Sequence, residues 1–533
     1  MEAPKTLNLF ILLIHKQYIR EVAMAEEEKP ILFVRRASGL IRELGMLDIT
    51  TLCVAITIGA GVLYFAVEAP TAFPGANIPL AYVIGGLIVL VCMFTVGLMT
   101  AAAPRSGGIY VPTSRVLGPA IGAFAGWAMF VTLAIVLGIV ANVAIIAIGT
   151  TCMVAGLTGA GQILLSTWGM FGFAVLLIII GVIVSLFGIK ATKTLLLILV
   201  VLPFAAFIIS GIYLVAVGPA FVKAHFDATW GAGAFQGVID AAHEAGWTTP
   251  EFSWEATVSA LLAVLWAYHG PEGISFLGGE MKTMGKKIAL SFVVGTLIVM
   301  TVYLLTVGAV YYAYGEFVGC YSFAATHPEI LEGIMPAIKP SIPFYVISVM
   351  PKGVGIALSL LMALWPVNSV FVIMLGASRC LFAMSFDRAL PEKLSDVNRF
   401  GAPTWSIIIT TIVGIASAYM FHSPVAAVMG VLLAVNAVPI MLFGLATAAL
   451  PFIREDLLHL IPMGGRVSTA ALGTWVFCYG WFMLFLSGME LTLPMAYFAI
   501  ALFGIGVIIY LWQQNKNVKK GIDISKIYAE IPP

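Results

Sequence analysis

Two stretches of this 533-residue sequence combine helix-breaking residues with groups that can handle charge. One reads Ala55-Ile56-Thr57-Ile58-Gly59-Ala60-Gly61-Val62-Leu63; the other reads Leu265-Trp266-Ala267-Tyr268-His269-Gly270-Pro271-Glu272-Gly273. Both interrupt apolar runs. Glycine costs about 1 kcal/mol inside a helix, and proline about 3 kcal/mol with a lost backbone hydrogen bond. At membrane depth such backbone survives only where protein buries it or where it lines a cavity. A half-helix ending near Thr57 and another starting near Ala60 would turn free N–H groups, of positive dipole character, toward a carboxylate. A half-helix ending over Trp266 to His269 would turn free carbonyls toward an ammonium. Opposite dipole ends around one small cavity are complementary to a zwitterion. The plainer role for Gly59 and Gly61 is close helix packing; Gly270-Pro271, with two ionisable neighbours, tips the reading toward a site.

Those neighbours are His269 and Glu272. A charged group at membrane depth costs about 3 kcal/mol even on lenient scales, so such residues face a cavity or a partner. Histidine titrates near neutral pH and a buried glutamate can be raised toward it. Glu272, with or without His269, is therefore expected to carry a coupled proton, or to gate. Glu272 could equally cap the second half of its helix. Trp266 and Tyr268 could gate the cavity or wall it by cation–π contact, although aromatic residues in spans most often pack. Asn142, Asn368, Ser369 and Asn436 are expected to face inward, with interhelical hydrogen bonding as their default role and a sodium site at Ser369 as the alternative.

The elements that must position these residues are lipid-embedded helices. The chain is 61% hydrophobic and only 10% charged, against roughly 25% charged in soluble domains, so its exterior must face lipid. Its net charge of +1 provides no field for nucleic acid. Six scattered cysteines form no CxxC pair and no metal spacing, and neither a metal nor a cofactor is expected. Spans of ~20 apolar residues fall near 48–68, 79–103, 119–149, 166–188, 194–217, 257–277, 288–314, 353–377, 403–421, 424–448, 469–487 and 491–513. With the N-terminus inside, 24 of the 27 lysines and arginines lie on inner segments, leaving Lys223, Lys339 and Lys352 outside. By the positive-inside rule both termini are cytoplasmic and the protein is a multi-pass component of the cytoplasmic membrane.

The organisation expected is an N-terminal segment (1–47), a first five-helix repeat (48–217), an outer loop (218–256), a second repeat (257–448), two peripheral helices (449–513) and a tail (514–533). Five spans per set make the repeats inverted. Residues 234–242 have the periodicity of a short amphipathic helix on the outer face, either partly occluding a vestibule or simply lying on the surface. The segment from Ser378 to Pro391 reads as an inner-surface helix, with Arg379 and Arg388 near headgroups and Leu381 and Phe382 toward lipid. Leu7 to Ile14 is too short to span, and the initiator is either Met1 or Met24.

Four motifs in order resemble the amino acid–polyamine–organocation superfamily of permeases, over nearly the whole chain. They are Ile58-Gly59-Ala60-Gly61-Val62, Pro104-Arg105-Ser106-Gly107-Gly108-Ile109-Tyr110 with Ser114-Arg115-Val116-Leu117-Gly118-Pro119, Trp266 to Glu272 with Gly279-Glu280-Met281-Lys282, and Ser378-Arg379-Cys380-Leu381-Phe382-Ala383-Met384 with Asp387-Arg388-Ala389-Leu390-Pro391. The loop after span five looks most like that of archaeal members. The resemblance implies an all-α, twelve-helix, leucine-transporter-like fold of two inverted five-helix repeats plus two peripheral helices. It implies substrate contact at Thr57, Gly59, Ala60, Gly61, Trp266, Tyr268, His269 and Gly270: the carboxylate on amides at Ala60 and Gly61, the amino group on carbonyls at Thr57, Trp266 and His269. The residue matching Glu272 is often linked to proton coupling or gating.

Three positions depart from that pattern. Ala60 replaces a frequent serine, His269 a frequent aliphatic residue, and Pro203 stands where some proton-coupled relatives place a lysine that serves in place of sodium. The expected activity is secondary active transport of amino acids or related amines by alternating access, coupled to protons or, alternatively, sodium. Exchange, or sensing on the same fold, is the alternative. No HExxH, paired aspartates, nucleophile motif or Walker sequence supports an enzyme or a pump, and no charged ring or filter supports a channel.

Overall fold

The computed structural model describes residues 39–59, 61–423, 432–489, 491–522 and 524–529. The expectations for Met24 and Ala60 therefore lie outside the described residues. Helices dominate, and the pairings between extended segments are two isolated bridges. The chain opens with α1 (Met46–Thr57), a single π turn (Gly61–Phe65) and α2 (Ala66–Ala72), bent by 47° across the break. It continues through α3 (Ile78–Ala102), α4 (Tyr110–Val116), α5 (Pro119–Val154), α6 (Thr158–Leu165), α7 (Thr167–Leu186) and α8 (Gly188–Trp230). After α9 (Ala234–Glu244) come α10 (Trp254–Tyr268) and α11 (Pro271–Ile274), a second helix in two pieces. The remainder is α12 (Lys286–Tyr314), α13 (Phe317–Thr326), α14 (Ile342–Ile347), α15 (Lys352–Phe386), α16 (Thr404–Met420), α17 (Leu432–Ile453), α18 (Arg466–Met489), α19 (Leu493–Lys519) and α20 (Ile524–Ala529).

Among the described residues, nine helices are long and apolar enough to cross a membrane, and the bent pair from Met46 to Ala72 makes a tenth. The expected spans near 257–277 and 403–421 fall on shorter helices: the broken α10–α11 and the 17-residue α16. Burial sorts the bundle into layers. In the most apolar window of α5, 83% of the residues are buried; in that of α19 only 6% are, so α5 is the central post and α19 lies at the lipid-facing edge. The large exposed side chains of α7 and α19 include Leu176, Ile183, Ile500 and Ile508. That is the surface a bilayer requires.

Three segments differ from their sequence reading. The helix expected to stop at 217 turns at Gly218 (φ 73°) and Pro219 and continues to Trp230. Phe226 near its end packs on Phe235 of α9 and Phe317 of α13. The amphipathic helix expected at 234–242 forms as α9 and differs only in running on to Glu244, its apolar face buried on those aromatics. The third difference is a correction. Ser378 to Phe386 is not an interfacial helix but the last turns of α15, and Arg379, Leu381 and Phe382 are all buried. The helix runs on through Gly376 to Phe386 without a break, and Glu280 supplies a counter-charge to Arg379 at 2.7 Å.

The face bearing α4 and the end of α15 is knit by buried ion pairs. Asp387 accepts from Arg105 at 2.7 Å and from Arg115 at 2.6 Å, all three nearly inaccessible. Burial would raise the Asp387 carboxyl, but the two guanidiniums outweigh it and hold its pKa at about 2. Tyr528 of α20 stacks on Arg115, 4.9 Å from ring centroid to guanidinium, and shares a 2.9 Å hydrogen bond with Tyr110. Nearby, the Glu43 and Leu44 amides donate to the Glu280 carbonyl, and the Lys282 amide donates to that of Leu44.

Candidate functional site

The two helix breaks lie against each other. α1 stops because Gly59 and Gly61 carry no side chain to sustain it; the last amide closing it is that of Ile58, onto Val54 at 3.3 Å. A Cβ on Gly61 would stand 2.2 Å from that of Ala267, so only glycine allows this approach. α10 is started by the Ser253 hydroxyl, which accepts from the Ala256 amide, and it ends where Gly270 adopts φ 135°. A Cβ there would sit 3.0 Å from the Ile56 carbonyl oxygen. Pro271 follows at the first position of α11, where its missing N–H costs nothing.

Breaking two helices in apolar surroundings orphans carbonyls, and each unpaired one would be costly. Side chains from neighbouring helices take them up. Tyr303 of α12 donates toward Thr57 O (3.2 Å) and Ala267 O (2.8 Å), and Tyr82 of α3 donates to Gly61 O (2.8 Å). The Ser369 hydroxyl of α15 lies 2.7 Å from Ala55 O, 3.0 Å from Ile58 O and 3.1 Å from Trp365 O. It has one proton for three acceptors.

Between the breaks is a cavity of about 60 Å³, lined by Thr57, Gly59, Gly61, Trp266, His269, Gly270, Glu272, Ser369 and Asn436 at its polar end. Its remaining wall includes Ile56, Leu133, Val136, Val140, Ile373 and Leu432. This is room for a few waters, with aliphatic surface opposite the charged groups.

The charged groups form one network. His269 Nδ1 meets Glu272 Oε1 at 2.8 Å, and the Gly270 amide donates to Glu272 Oε2 at 3.0 Å, so the carboxylate also caps the start of α11. Asn436 Nδ2 lies 3.0 Å from His269 Nδ1 and donates to Glu272 Oε1 at 3.4 Å; Asn436 Oδ1 is buried without a partner. On the far side of the ring, Nε2 meets the Tyr479 hydroxyl at 2.8 Å. A hydroxyl can donate to a neutral imidazole nitrogen or accept from a protonated one. The ring therefore has a partner at both nitrogens in either charge state.

Seven of the expected residues thus line one cavity: Thr57, Gly59, Gly61, Trp266, His269, Gly270 and Glu272. Tyr268 does not. It points away, donating to Tyr82 O at 3.0 Å and packing on Tyr82 and Tyr303. Trp266 packs edge-on to Phe65 beside the cavity, at 5.2 Å between ring centroids. Asn142 bonds elsewhere, to Ala418 O and His422, and Asn368 bonds to Leu196 O. Tyr479 and Tyr303 went unnoticed in the sequence. Each sits in an ordinary apolar span, and only the packing of α18 and α12 brings them to the breaks.

A family profile described as Amino acid permease matches residues 44–516, nearly the entire described chain. The chain belongs to the amino acid permease family. Among curated proteins it is similar to the branched-chain amino acid permease BcaP of Bacillus subtilis, 25% identical over 373 residues, which cover 68% of this chain and 70% of that protein. It is also similar to the serine/threonine exchanger SteT of the same organism, 27% identical over 269 residues, 50% of this chain and 54% of SteT. Membership places the chain among multi-pass membrane permeases of the amino acid–polyamine–organocation superfamily. Both breaks and every residue of the His269 network fall within the matched region.

Proposed function

We propose that the protein is a secondary transporter that carries a small amino acid across the cytoplasmic membrane by alternating access, holding it as a zwitterion between the two helix breaks. The supporting observation is that one cavity is lined from both breaks, by Gly59 and Gly61 of one and by His269, Gly270 and Glu272 of the other. The carboxylate goes to the peptide groups at Ala60 and Gly61. The ammonium goes to the second lone pairs of the Thr57 and Trp266 carbonyls and to Asn436 Oδ1, the buried acceptor that has no partner. The aliphatic wall suits a short branched side chain, in keeping with the name of BcaP as a branched-chain amino acid permease. The 5+5 inverted repeat, α18 and α19 as peripheral helices, and both termini cytoplasmic complete the reading.

His269 and Glu272 are the coupling pair in this proposal. Asn436 and Tyr479 hold the pair whether or not the ring carries a second proton, so a proton taken from outside can ride with the substrate. Uptake of the twenty amino acids and polyamines into proteoliposomes, with and without an imposed pH gradient, tests this. Accumulation against a gradient supports a carrier. Saturable binding with no accumulation by uptake or by counterflow would leave a sensor, and uptake only into preloaded vesicles would leave an exchanger.

A sodium-coupled version draws on a separate observation: three carbonyls converge on the Ser369 hydroxyl, which can satisfy only one. Oxygen-only donor sets suit a hard monovalent cation. Sodium dependence of uptake that is lost in Ser369→Ala would favour sodium; uptake indifferent to sodium would remove it.

A further inference from the structure

A second pocket lies where α2 meets the segment joining α13 to α14, lined by Glu68, Thr71, Ser322, Thr326, Ala337 and Lys339 among others. By the lysine and arginine count this is the outer side, and Lys339 is one of only three basic residues there. Glu68 Oε1 and Lys339 Nζ meet at 3.2 Å, their side chains 31% and 47% exposed. Beside them the Thr71 and Ser322 hydroxyls share a 2.6 Å hydrogen bond, and Ser322 lies 3.2 Å from the Glu68 carbonyl oxygen. Lys339 Nζ also stands 5.0 Å from the centre of the Tyr64 ring. Tyr64 is buried and belongs to the same π turn that carries Gly61 to the central cavity.

An ion pair this exposed contributes only about 0–1 kcal/mol, so separating it costs little. What it offers is one positive and one negative group side by side in an open pocket. A free anion would satisfy Lys339 and strand Glu68; a free cation would do the reverse. A zwitterion satisfies both, its carboxylate on Lys339 and its ammonium on Glu68, with the two hydroxyls adjacent. We infer that this pocket is a second, outward-facing binding site for amino acid zwitterions, filled before the central cavity. The inference rests on the amino acid reading of that cavity. Capture of a carboxylate draws Nζ off the Tyr64 ring, so occupancy is felt on the turn that forms one side of the inner site.

The test uses the full-length protein in liposomes with an Ala337→Cys substitution, labelled from outside by a membrane-impermeant thiosulfonate and read above the parent's own labelling. L-isoleucine is expected to slow labelling by about threefold or more at saturation by mass action. N-acetyl-isoleucine, lacking the ammonium, and isoleucinol, lacking the carboxylate, leave labelling unchanged. Lys339→Gln and Glu68→Gln each abolish the protection, and Lys339→Gln raises the external KM for uptake several-fold with kcat little changed. Absence of protection, or protection that survives in both variants, overturns the outer site even if uptake is robust. Protection without uptake of any amino acid leaves the outer site standing and overturns the central reading.

Discussion

Two sets of ion pairs in the molecule are held in opposite ways. On one side Glu68 and Lys339 pair at 3.2 Å with much of both side chains in solvent. On the other, Arg105, Arg115 and Asp387, and likewise Arg379 and Glu280, are paired with almost no exposure. Charges taken fully out of water depend on their partners, whereas exposed ones can trade theirs for solvent or ligand. The exposed pair can therefore be separated at little cost, and the buried set cannot. With the Leu44–Met281 bridge and Tyr528 stacked on Arg115, the described conformation is sealed on the arginine-rich side.

The harshest way to break this contrast is Asp387→Asn, which strands two buried guanidiniums. Losing one partner of a buried pair costs about 3–5 kcal/mol, and the variant is expected to show a large fall in Tm, or no folded yield, in detergent. Acid probes the same residue without mutation. Its pKa is depressed in the folded state to about 2 from an ordinary 3.8. Its contribution is thus complete above the ordinary value and is lost only as pH falls through about 2. Melting between pH 8 and 5 should show no loss traceable to Asp387. A pH dependence of uptake in that range would therefore have a source other than Asp387.

Gly61→Ala comes next, by forcing a methyl into Ala267 at the meeting of the breaks. Overpacking of this kind costs about 1–3 kcal/mol, read as a lower Tm together with loss of substrate binding. Glu272→Gln should keep its fold yet lose gradient-driven uptake by at least about tenfold, equivalent to ~1.4 kcal/mol, and flatten its pH profile. Unaltered pH-dependent uptake in that variant would remove the proton role. Lys339→Gln is the mildest and sharpens the comparison most. Tm should stay within about 1 kcal/mol of the parent while the external KM moves.

How much of this could be read from the chain depends on whether the signal is local. The breaks were legible because Gly59, Gly61 and Gly270-Pro271 violate helix propensity inside apolar runs, and His269 and Glu272 were legible because ionisable residues are rare there. The four ordered motifs pointed to the family that the profile match shows. Pairings across the chain left no such trace. Arg105 and Asp387 are 282 positions apart, and nothing near Arg379 announces Glu280, so from the sequence a buried turn of α15 reads as an interfacial one. Tyr268 failed for a related reason. It lies in the right stretch, but the alternation of a helix turns it toward Tyr82 rather than the cavity.

The Tyr303 hydroxyl, set within 3.2 Å of both Thr57 O and Ala267 O, has a mechanical implication. One proton serves two chain stubs, so sliding either stub away from the other would strand a carbonyl in hydrocarbon. A displacement that carries α1 and α10 together keeps both contacts with the Tyr303 hydroxyl.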